Sequence, residues 1–401
     1  MKRKKIFFNV ALSFLSLFLF ASCGKKKDDN KDVSSTSFET STLTETSTST
    51  STSTSISTST STQTSASTST STSTSTLLST NNETTTTNTS REPYIRDDNK
   101  IYFGSYPQTL IEDEYLNTKL NAIGGEKPTQ ENLYNWNKDG SYKGMYYQDI
   151  DYDNDGIFDY RGVYLETYRY PNLSVPKKVF SGILHQEETG YGSKTTYWFA
   201  YDLIEWDILS ESNGKAFLFS NLILDSQDFY PSNDASKKIE HNGGTGYANN
   251  YELSNIRIWL NNYFYNTAFK NMQKELIEIT NVVNDDASAG YNSRSGQIFW
   301  GCNNTNDKIF LLSHNEVETY SNILLKEGIG TEYAVCRGLG VPGDVRAAFW
   351  WLRSASRHGR PNAVQGFDPR GMLIEDERMD LFGVAYYTDY GVRPACWINL
   401  A

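Results

Sequence analysis

Residues 254–264, with the sequence SNIRIWLNNYF, decide the fold class. Ser254 belongs to the residue types that cap the N-terminus of a helix. From Ile256 onward, apolar side chains recur at the spacing of one helix face: Ile256, Trp259, Leu260, Tyr263 and Phe264. A second, shorter helix is predicted from Asn271, as its cap, through Glu278.

Short strand-like segments lie before, between and after the helical segments. They are Lys100–Tyr106, Tyr160–Tyr168, Thr196–Leu209, Lys215–Leu224, Asp307–Ser313, Phe349–Ser354 and Gly391–Leu400. Ala363–Phe367 and Met372–Glu375 flank the turn sequence DPRG and predict a hairpin. Because strands and helices do not alternate regularly, the sequence predicts an α+β fold of mixed short strands with two short helices.

Several of these segments carry a resemblance. In order they include YFGSYPQ (102–108), IEWDIL (204–209), IRIWLN (256–261), WWLRS (350–354) and GVRPA (391–395). Together they resemble an uncharacterised domain of bacterial surface and secreted proteins, a domain of unknown function. The closing order, WWLRS, hairpin and GVRPA, is similar to the C-terminal half of C-type-lectin-like folds. The resemblance implies a fold and a surface location, and it carries no activity over.

The lectin-like group includes sugar-binding modules and formylglycine-generating enzymes. Those enzymes use two closely spaced cysteines, whereas Cys302, Cys336 and Cys396 lie far apart in this chain. The enzyme reading is therefore weak, and no catalytic residue is predicted. Three cysteines beside Cys23 suggest one disulfide and one buried thiol, with the pair left open.

The segment DYDNDGIFD, residues 151–159, is the best candidate for a metal site. Its carboxylates alternate at loop positions one, three and five, Gly156 permits a sharp turn, and position seven offers a carbonyl. The predicted calcium ligands are Asp151, Asp153, Asp155, Ile157 and Asp159. Gly162 stands where an EF-hand has its bidentate Glu, so the loop is not a complete EF-hand. A solvated turn is the alternative, since Asp, Asn and Gly are also turn residues.

Trp350, Trp351 and Arg353 are the candidate ligand-binding residues. Adjacent strand side chains point to opposite faces, so one Trp would enter the core and the other could face a groove. Aromatic rings suit the apolar C–H faces of sugars, and core packing of both rings is the alternative. Arg353 belongs to an Arg-rich segment that either pairs with the acidic residues at 375–380 or captures an anionic ligand.

The N-terminus is typical of a secreted lipoprotein. Lys2 to Lys5 form a basic head, and an apolar run of about 16 residues follows, shorter than a membrane-spanning helix needs. The exit FASCG resembles the lipobox of bacterial lipoproteins, with Phe20 where Leu is usual. Residues 1–22 are thus predicted as the signal peptide, Cys23 as the lipidation site and 23–33 as a basic segment at the membrane lipid. The predicted location is the extracytoplasmic face of the cell membrane.

A Ser/Thr-rich stretch separates this anchor from the rest of the chain. Residues 34–91 have too little apolar content to bury a core, so they predict a disordered stalk. The globular α+β domain then spans 92–401, with a subdivision near 180–195 compatible with the sequence. The whole chain carries −11, residues 1–32 carry +5, and the remaining −16 disfavours binding to nucleic acid.

The sequence thus predicts a membrane-anchored, surface-displayed protein that binds a glycan or a host protein, with no nameable catalysis. An extracytoplasmic enzyme with a site assembled from distant residues, or a passive envelope protein, are the alternatives. A concave pocket with convergent titratable groups would favour the enzyme. An open aromatic groove would favour binding.

Overall fold

The computed structural model describes residues 93–170, 182–230, 239–241, 244–246, 248–284, 303–343, 346–355, 363–373, 383–384 and 388–400. All of these residues belong to one unit of the chain, Thr84–Ala401. The predicted signal peptide, Cys23 and the stalk lie outside the described residues, as does Cys302. The predicted domain boundaries therefore stay predictions.

Twenty strands are described. They are β1 (Ile95–Asp97), β2 (Lys100–Leu110), β3 (Asn137–Lys138), β4 (Met145–Ile150), β5 (Tyr160–Leu165), β6 (Thr195–Ser212), β7 (Lys215–Ser220), β8 (Leu222–Ile223), β9 (Asp225–Ser226), β10 (Ile239–His241), β11 (Gly244–Gly246), β12 (Thr280–Val282), β13 (Thr305–Asp307), β14 (Gly328–Gly330), β15 (Ala347–Ala348), β16 (Trp350–Ala355), β17 (Ala363–Phe367), β18 (Gly383–Val384), β19 (Gly391–Val392) and β20 (Ala395–Asn399).

The α-helices of the described residues are short. They are α1 (Glu114–Gly124), α2 (Asn255–Trp259), α3 (Tyr265–Ala268), α4 (Asn271–Lys274), α5 (His314–Thr319) and α6 (Glu332–Cys336). A π-helical segment, Leu260–Phe264, joins α2 to α3. Two 3₁₀ turns lie at Leu133–Asn135 and Gln186–Glu188. Among these residues no helix is long and apolar enough to cross a membrane.

The largest sheet has eight antiparallel strands and is built around β6. One path through it runs β1-β2-β6-β5-β4-β3, and β7 joins β6 to β20. The first part of β6 pairs with β5 and its last part with β7, while β2 follows its other side. Both faces of β6 are covered: Phe199 packs in the main core, and Trp198 packs with Leu120 of α1 and Ile150.

A five-stranded sheet, in the order β18-β17-β16-β19-β9, is formed by segments from the second half of the chain. Its β16 pairs in parallel with β19 and antiparallel with β17. The predicted hairpin turn is present, because the N–H of Gly371 donates to Asp368 O at 2.9 Å and that of Asp368 to Met372 O at 2.9 Å. Curled sheets with a few short helices thus agree with the predicted mixture of α and β structure.

The structure corrects one predicted strand and one predicted helix. The predicted strand Asp307–Ser313 is wrong over most of its length, since only Thr305–Asp307 forms a strand. The reason is Asn261, whose Oδ1 accepts the N–H of Lys308 at 2.8 Å and whose Nδ2 donates to Ile309 O at 2.9 Å. The second predicted helix is also shorter than expected: it ends at Lys274, and its cap is Lys270 rather than Asn271.

The predicted disulfide is also wrong. Cys336 and Cys396 are both free thiols, so neither pairs with the other or with Cys302. Both thiols are fully buried, Cys336 in α6 and Cys396 in β20. Burial in apolar surroundings raises the pKa of both thiols, which keeps them protonated and unreactive.

Candidate ligand-binding cleft

A cleft of about 830 Å³ opens where four parts of the chain meet. They are the β3–β4 connection, the segment after β5, the segment after β9 and the helix α2 with its π-helical extension, and Thr388 before β19 also contributes to the lining. We call this space the Trp259 cleft. Its lining includes Asp139, Tyr142, Arg169, Asp228, Trp259 and Tyr263.

The helix forms one wall of the Trp259 cleft. Ser254 caps it as predicted, because its hydroxyl accepts the N–H of Arg257 at 3.3 Å. Ile256 is fully buried and anchors the helix in the core. Trp259 and Tyr263 are only partly buried, and their ring centroids lie 6.1 Å apart with an interplanar angle of 26°. The helix therefore presents two stacked aromatic rings to the cleft.

The wall is irregular at the position of these rings. Leu260–Phe264 is π-helical, a rare conformation that is frequent at functional sites. Leu260 and Phe264 remain fully buried on the core side. Asn262 lies on the same wall as the rings and is exposed, as is Asn255 one turn before Trp259. The wall thus combines aromatic faces with amides that both donate and accept hydrogen bonds.

A buried ion pair forms part of the floor. Arg169 Nη2 lies 3.2 Å from Asp228 Oδ1, and both side chains are almost completely buried. Arg169 Nη1 also donates to the carbonyls of Ser226 at 2.6 Å and Arg337 at 3.3 Å. Burial raises the pKa of Asp228, and the Arg169 charge opposes this only in part. The ion pair is therefore held in place by buried protein groups and is shielded from ions in the solvent.

A second charge cluster lies directly behind the floor. Arg337 bridges two buried carboxylates, with Nη1 2.5 Å from Asp139 Oδ2 and Nε 3.0 Å from Asp225 Oδ1. Burial would raise the pKa of Asp139, but the Arg337 charge and the Ser141 hydrogen bonds outweigh it and lower the pKa. Tyr106 completes the cluster, because its hydroxyl donates to Asp225 Oδ2 at 2.7 Å.

Gln186 ties this cluster to the cleft. It is fully buried, and its Oε1 accepts the N–H of Arg169 at 2.8 Å and lies 2.9 Å from the Tyr142 hydroxyl. Its Nε2 donates to the carbonyl of Cys336. Tyr142, on the cleft, is thereby fixed to α6 through a single amide side chain. The floor is a preorganised hydrogen-bonded layer.

The side chains that line the Trp259 cleft are mostly polar or aromatic. The described residues that line the Trp259 cleft include no histidine and no cysteine. Asp139 is committed to Arg337 and to the backbone N–H groups of Ser141 and Tyr142, at 2.9 and 2.7 Å. Its hydrogen bonds make it a fixed structural acceptor. Aromatic, amide and hydroxyl groups and the exposed Lys143 ammonium remain for contact with a ligand.

The predicted calcium loop lies elsewhere, between β4 and β5. Asp151, Asp153 and Asp159 each place a carboxylate oxygen within 4.8 Å of the others. Asn154 and Gly156 have φ values of 61° and 88°, and these left-handed conformations curl the loop around its carboxylates. Hard oxygen donors at this spacing fit Ca²⁺.

One predicted ligand, Asp155, is placed differently. Asp155 is outside that group of three, and its Oδ1 accepts the N–H of Ile157 at 2.8 Å. The N–H of Asp155 in turn donates to Asp151 Oδ1 at 3.1 Å. These bonds are the ordinary chemistry of an Asp-rich turn, the alternative that the sequence left open. Calcium binding by this loop stays a prediction.

Trp350 and Trp351 lie in the core, and neither ring faces a groove. Both are fully buried. Trp350 stacks on Phe367 at 4.7 Å, and Trp351 stacks on Tyr390 at 4.2 Å. Every residue of β16 is buried, so both faces of this strand are covered. A ligand has no access to either ring in this arrangement.

Trp351 nevertheless supports the Trp259 cleft from behind. Its Nε1 donates to the carbonyl of Gln227 at 2.8 Å, and Gln227 and Asp228 are both cleft residues.

Arg353 is buried and pairs with Glu316, with Nη1–Oε2 and Nη2–Oε1 distances of 2.5 and 3.0 Å. Its acidic partner is therefore Glu316 of α5, and the predicted partners at 375–380 lie outside the described residues.

The cleft residues themselves were missed by sequence reasoning. Tyr142, Arg169 and Asp228 come from three separate segments, with no local motif to connect them. The one available signal was in the first helix. Trp259 and Tyr263 lie at the margin of its apolar face, where an aromatic residue is covered on one side only.

The comparisons with known proteins add a family match for part of the chain. Residues 213–400 match the model of a domain of unknown function, DUF6273. This segment contains the helical wall, Asp228, and the buried Trp350–Trp351 pair, whereas Asp139, Tyr142 and Arg169 precede it. No curated protein and no solved structure matches the chain.

Proposed function

We propose that this chain is a lipoprotein that is anchored through Cys23 and displays a glycan-binding domain outside the cell membrane. The observation that carries the binding proposal is the wall of the Trp259 cleft. Trp259 and Tyr263 stack side by side and are partly open, and exposed amides flank them. Aromatic faces complement the C–H faces of sugar rings, and amides suit sugar hydroxyls.

The shape of the site favours a glycan over a host protein. A cleft of about 830 Å³ lies in the range of small-molecule sites, which enclose most of a ligand's surface. A protein partner needs a patch of about 800 Å² per side, which a concave site of this size does not provide. The likeness of the C-terminal half to C-type-lectin-like folds belongs to the same proposal, as does a structural Ca²⁺ on the loop of Asp151, Asp153 and Asp159.

A glycan array tests the binding proposal. The full chain in detergent should bind a subset of arrayed glycans, and Trp259→Ala should lose that binding because it removes the stacking surface. Tyr134→Ala is the matched control, since Tyr134 is an aromatic residue with 85% exposure outside the cleft. Equal binding by wild type and Trp259→Ala would overturn the proposal, as would retention of a protein partner but no glycan.

The anchor is tested separately by detergent phase partition. Cys23→Ala should move the chain from the detergent phase to the aqueous phase, or leave an unprocessed precursor, because the thiol is the proposed point of lipid attachment. Unchanged partition with a processed N-terminus would contradict it.

A further inference from the structure

The charges of the Trp259 cleft are compensated within the protein. Four charged residues line it: Asp139, Lys143, Arg169 and Asp228. Asp139 pairs with Arg337, and Arg169 pairs with Asp228. Among the described charged residues of the lining, Lys143 alone is exposed. The cleft therefore offers a ligand no buried charge that lacks an opposite charge beside it.

A charged ligand group that reached the floor of the cleft would have to disrupt these pairs. An anionic group would need the Arg169 guanidinium, but its Nη1 already donates to two carbonyls and its Nη2 to Asp228. A cationic group would need Asp228, whose carboxylate is already shared with Arg169. Breaking a buried pair leaves one charge uncompensated in a low-dielectric site, which is costly. A ligand group with either sign of charge is therefore disfavoured at the buried floor of the cleft.

The groups that remain open on the helical wall around Trp259 are neutral. Asn255 and Asn262 are exposed and lie seven residues apart on the helical wall, with Trp259 between them. Seven residues of helix span about 10 Å, a length that suits two consecutive pyranose rings. One ring would stack on Trp259, and hydroxyls on either side would meet the two amides.

We infer that the Trp259 cleft binds an uncharged oligosaccharide of at least two pyranose units and discriminates against acidic glycans. This inference rests on the proposed glycan-binding function and narrows its ligand class. The recognition is by stacking and by neutral hydrogen bonds, so its affinity is insensitive to ionic strength, in contrast to binding through surface charge.

Matched pairs of probes test the inference. The full chain in detergent is titrated by calorimetry with neutral tetraoses of glucose, mannose, galactose and N-acetylglucosamine, and with the uronic-acid tetraoses of the corresponding hexoses. At least one neutral tetraose should bind, and at least tenfold more tightly than its uronic-acid counterpart. Its affinity should be unchanged between low and high salt. Trp259→Ala should weaken it at least tenfold, and Tyr134→Ala should not.

Two further variants distinguish a loss of binding at the cleft from a failure to fold. Asn262→Ala changes an exposed side chain and should weaken the neutral tetraose several-fold without altering the melting temperature. Asp228→Asn frees Arg169 from its partner and should narrow the preference over the uronic acid. Equal or tighter binding of the uronic acid that still depends on Trp259 would overturn the inference and leave the proposed function standing. Tetraose binding that is indifferent to both Trp259 and Asn262, or no binding at all, would overturn both.

Discussion

Trp351 and Trp259 show how two regions of one molecule use the same side chain for different ends. Trp351 lies on β16, a strand covered on both faces, and its ring is fully buried against Tyr390. Trp259 lies on a helix that buries one face only, and its ring is partly open to the cleft. The conspicuous WWLRS motif is thus core, and the inconspicuous helical Trp is the candidate contact residue.

The difference teaches that position within an element decides the role of an aromatic residue. A central strand hides both alternating rows of side chains when both sheet faces are covered. A helix with one core-facing stripe always leaves the margin of that stripe half open. Stability should therefore depend mainly on Trp351, and binding on Trp259.

The largest expected effect is that of Trp351→Ala on stability. Removing this buried indole leaves a cavity and frees the Gln227 carbonyl, so the free energy of unfolding should fall by up to about 5 kcal/mol. Trp259→Ala should cost only about 1 to 2 kcal/mol, because its ring is partly exposed. Urea denaturation of the two variants measures both. Equal losses would abolish the distinction between the regions.

The buried charge of Arg337 provides the next test of the comparison between the two regions. Arg337→Met should lower the free energy of unfolding by about 3 kcal/mol, because the Asp139 and Asp225 carboxylates would stay buried without their shared cation. Arg346→Met is the matched control. Arg346 pairs with Glu332 at 3.6 Å with its side chain 48% exposed, so its loss should cost less than about 1 kcal/mol. A small effect of Arg337→Met in the same denaturation assay would show that the cluster behind the floor is not rigidly buried.

Asp389 joins the two regions, because it lies between cleft residue Thr388 and Tyr390, the stacking partner of Trp351. Burial raises the pKa of Asp389 to about 7, against smaller opposing influences of a backbone hydrogen bond and of Arg169, and its Oδ2 lies 4.0 Å from His185 Nδ1. Between pH 4 and 7 the unfolded chain loses this proton while the folded chain keeps it. This group therefore makes the free energy of unfolding fall as pH rises.

Asp389→Asn should remove that fall. The variant's stability advantage over wild type should be about 2 to 3 kcal/mol larger at pH 8 than at pH 5. Chemical denaturation at both pH values measures the difference, and contributions from other titrating groups largely cancel between the two proteins. Parallel pH profiles for variant and wild type would contradict a protonated, buried Asp389.

The smallest expected effect concerns the Asp-rich loop, which lies outside both regions. If its Kd for Ca²⁺ is on the order of 1 mM, 10 mM Ca²⁺ should stabilise the folded chain by about 1.4 kcal/mol. The melting temperature should rise with Ca²⁺ and less with Mg²⁺. Asp153→Ala should abolish the rise, and Glu112→Ala, a change at an exposed acid elsewhere, should preserve it. A rise that persists in Asp153→Ala would assign the ion to another site.

Local patterns predicted what depends on local chemistry. The Ser254 cap, the core-facing Ile256 and the turn at 368–371 all follow from spacing and turn residues. The capping box of Ser313 and Glu316 was also readable, yet the apolar run before it suggested a strand through Ser313. The side chain of Asn261, about 50 residues away, overrides that strand.

The Trp259 cleft could not be predicted because it is assembled from distant segments. Asp139 and Arg337 are 198 residues apart, and Arg169 and Asp228 are 59 apart. Nothing in the neighbourhood of these residues indicates their partners. The π-helical turn is likewise invisible to a pattern that assumes one helical period. The strand pattern at Trp350 and Trp351 left core packing of both rings open as the alternative, and the structure has that arrangement.

The most direct test of the account follows the tryptophans themselves while a ligand binds. The chain has eight tryptophans, so incorporation of 5-fluorotryptophan gives a resolvable ¹⁹F NMR spectrum, assigned with single Trp→Phe variants. A neutral tetraose that binds the full chain in detergent should shift the Trp259 resonance and leave those of Trp350 and Trp351 in place. A bound tetraose that leaves Trp259 unchanged, or that shifts the buried pair instead, would contradict the central claim.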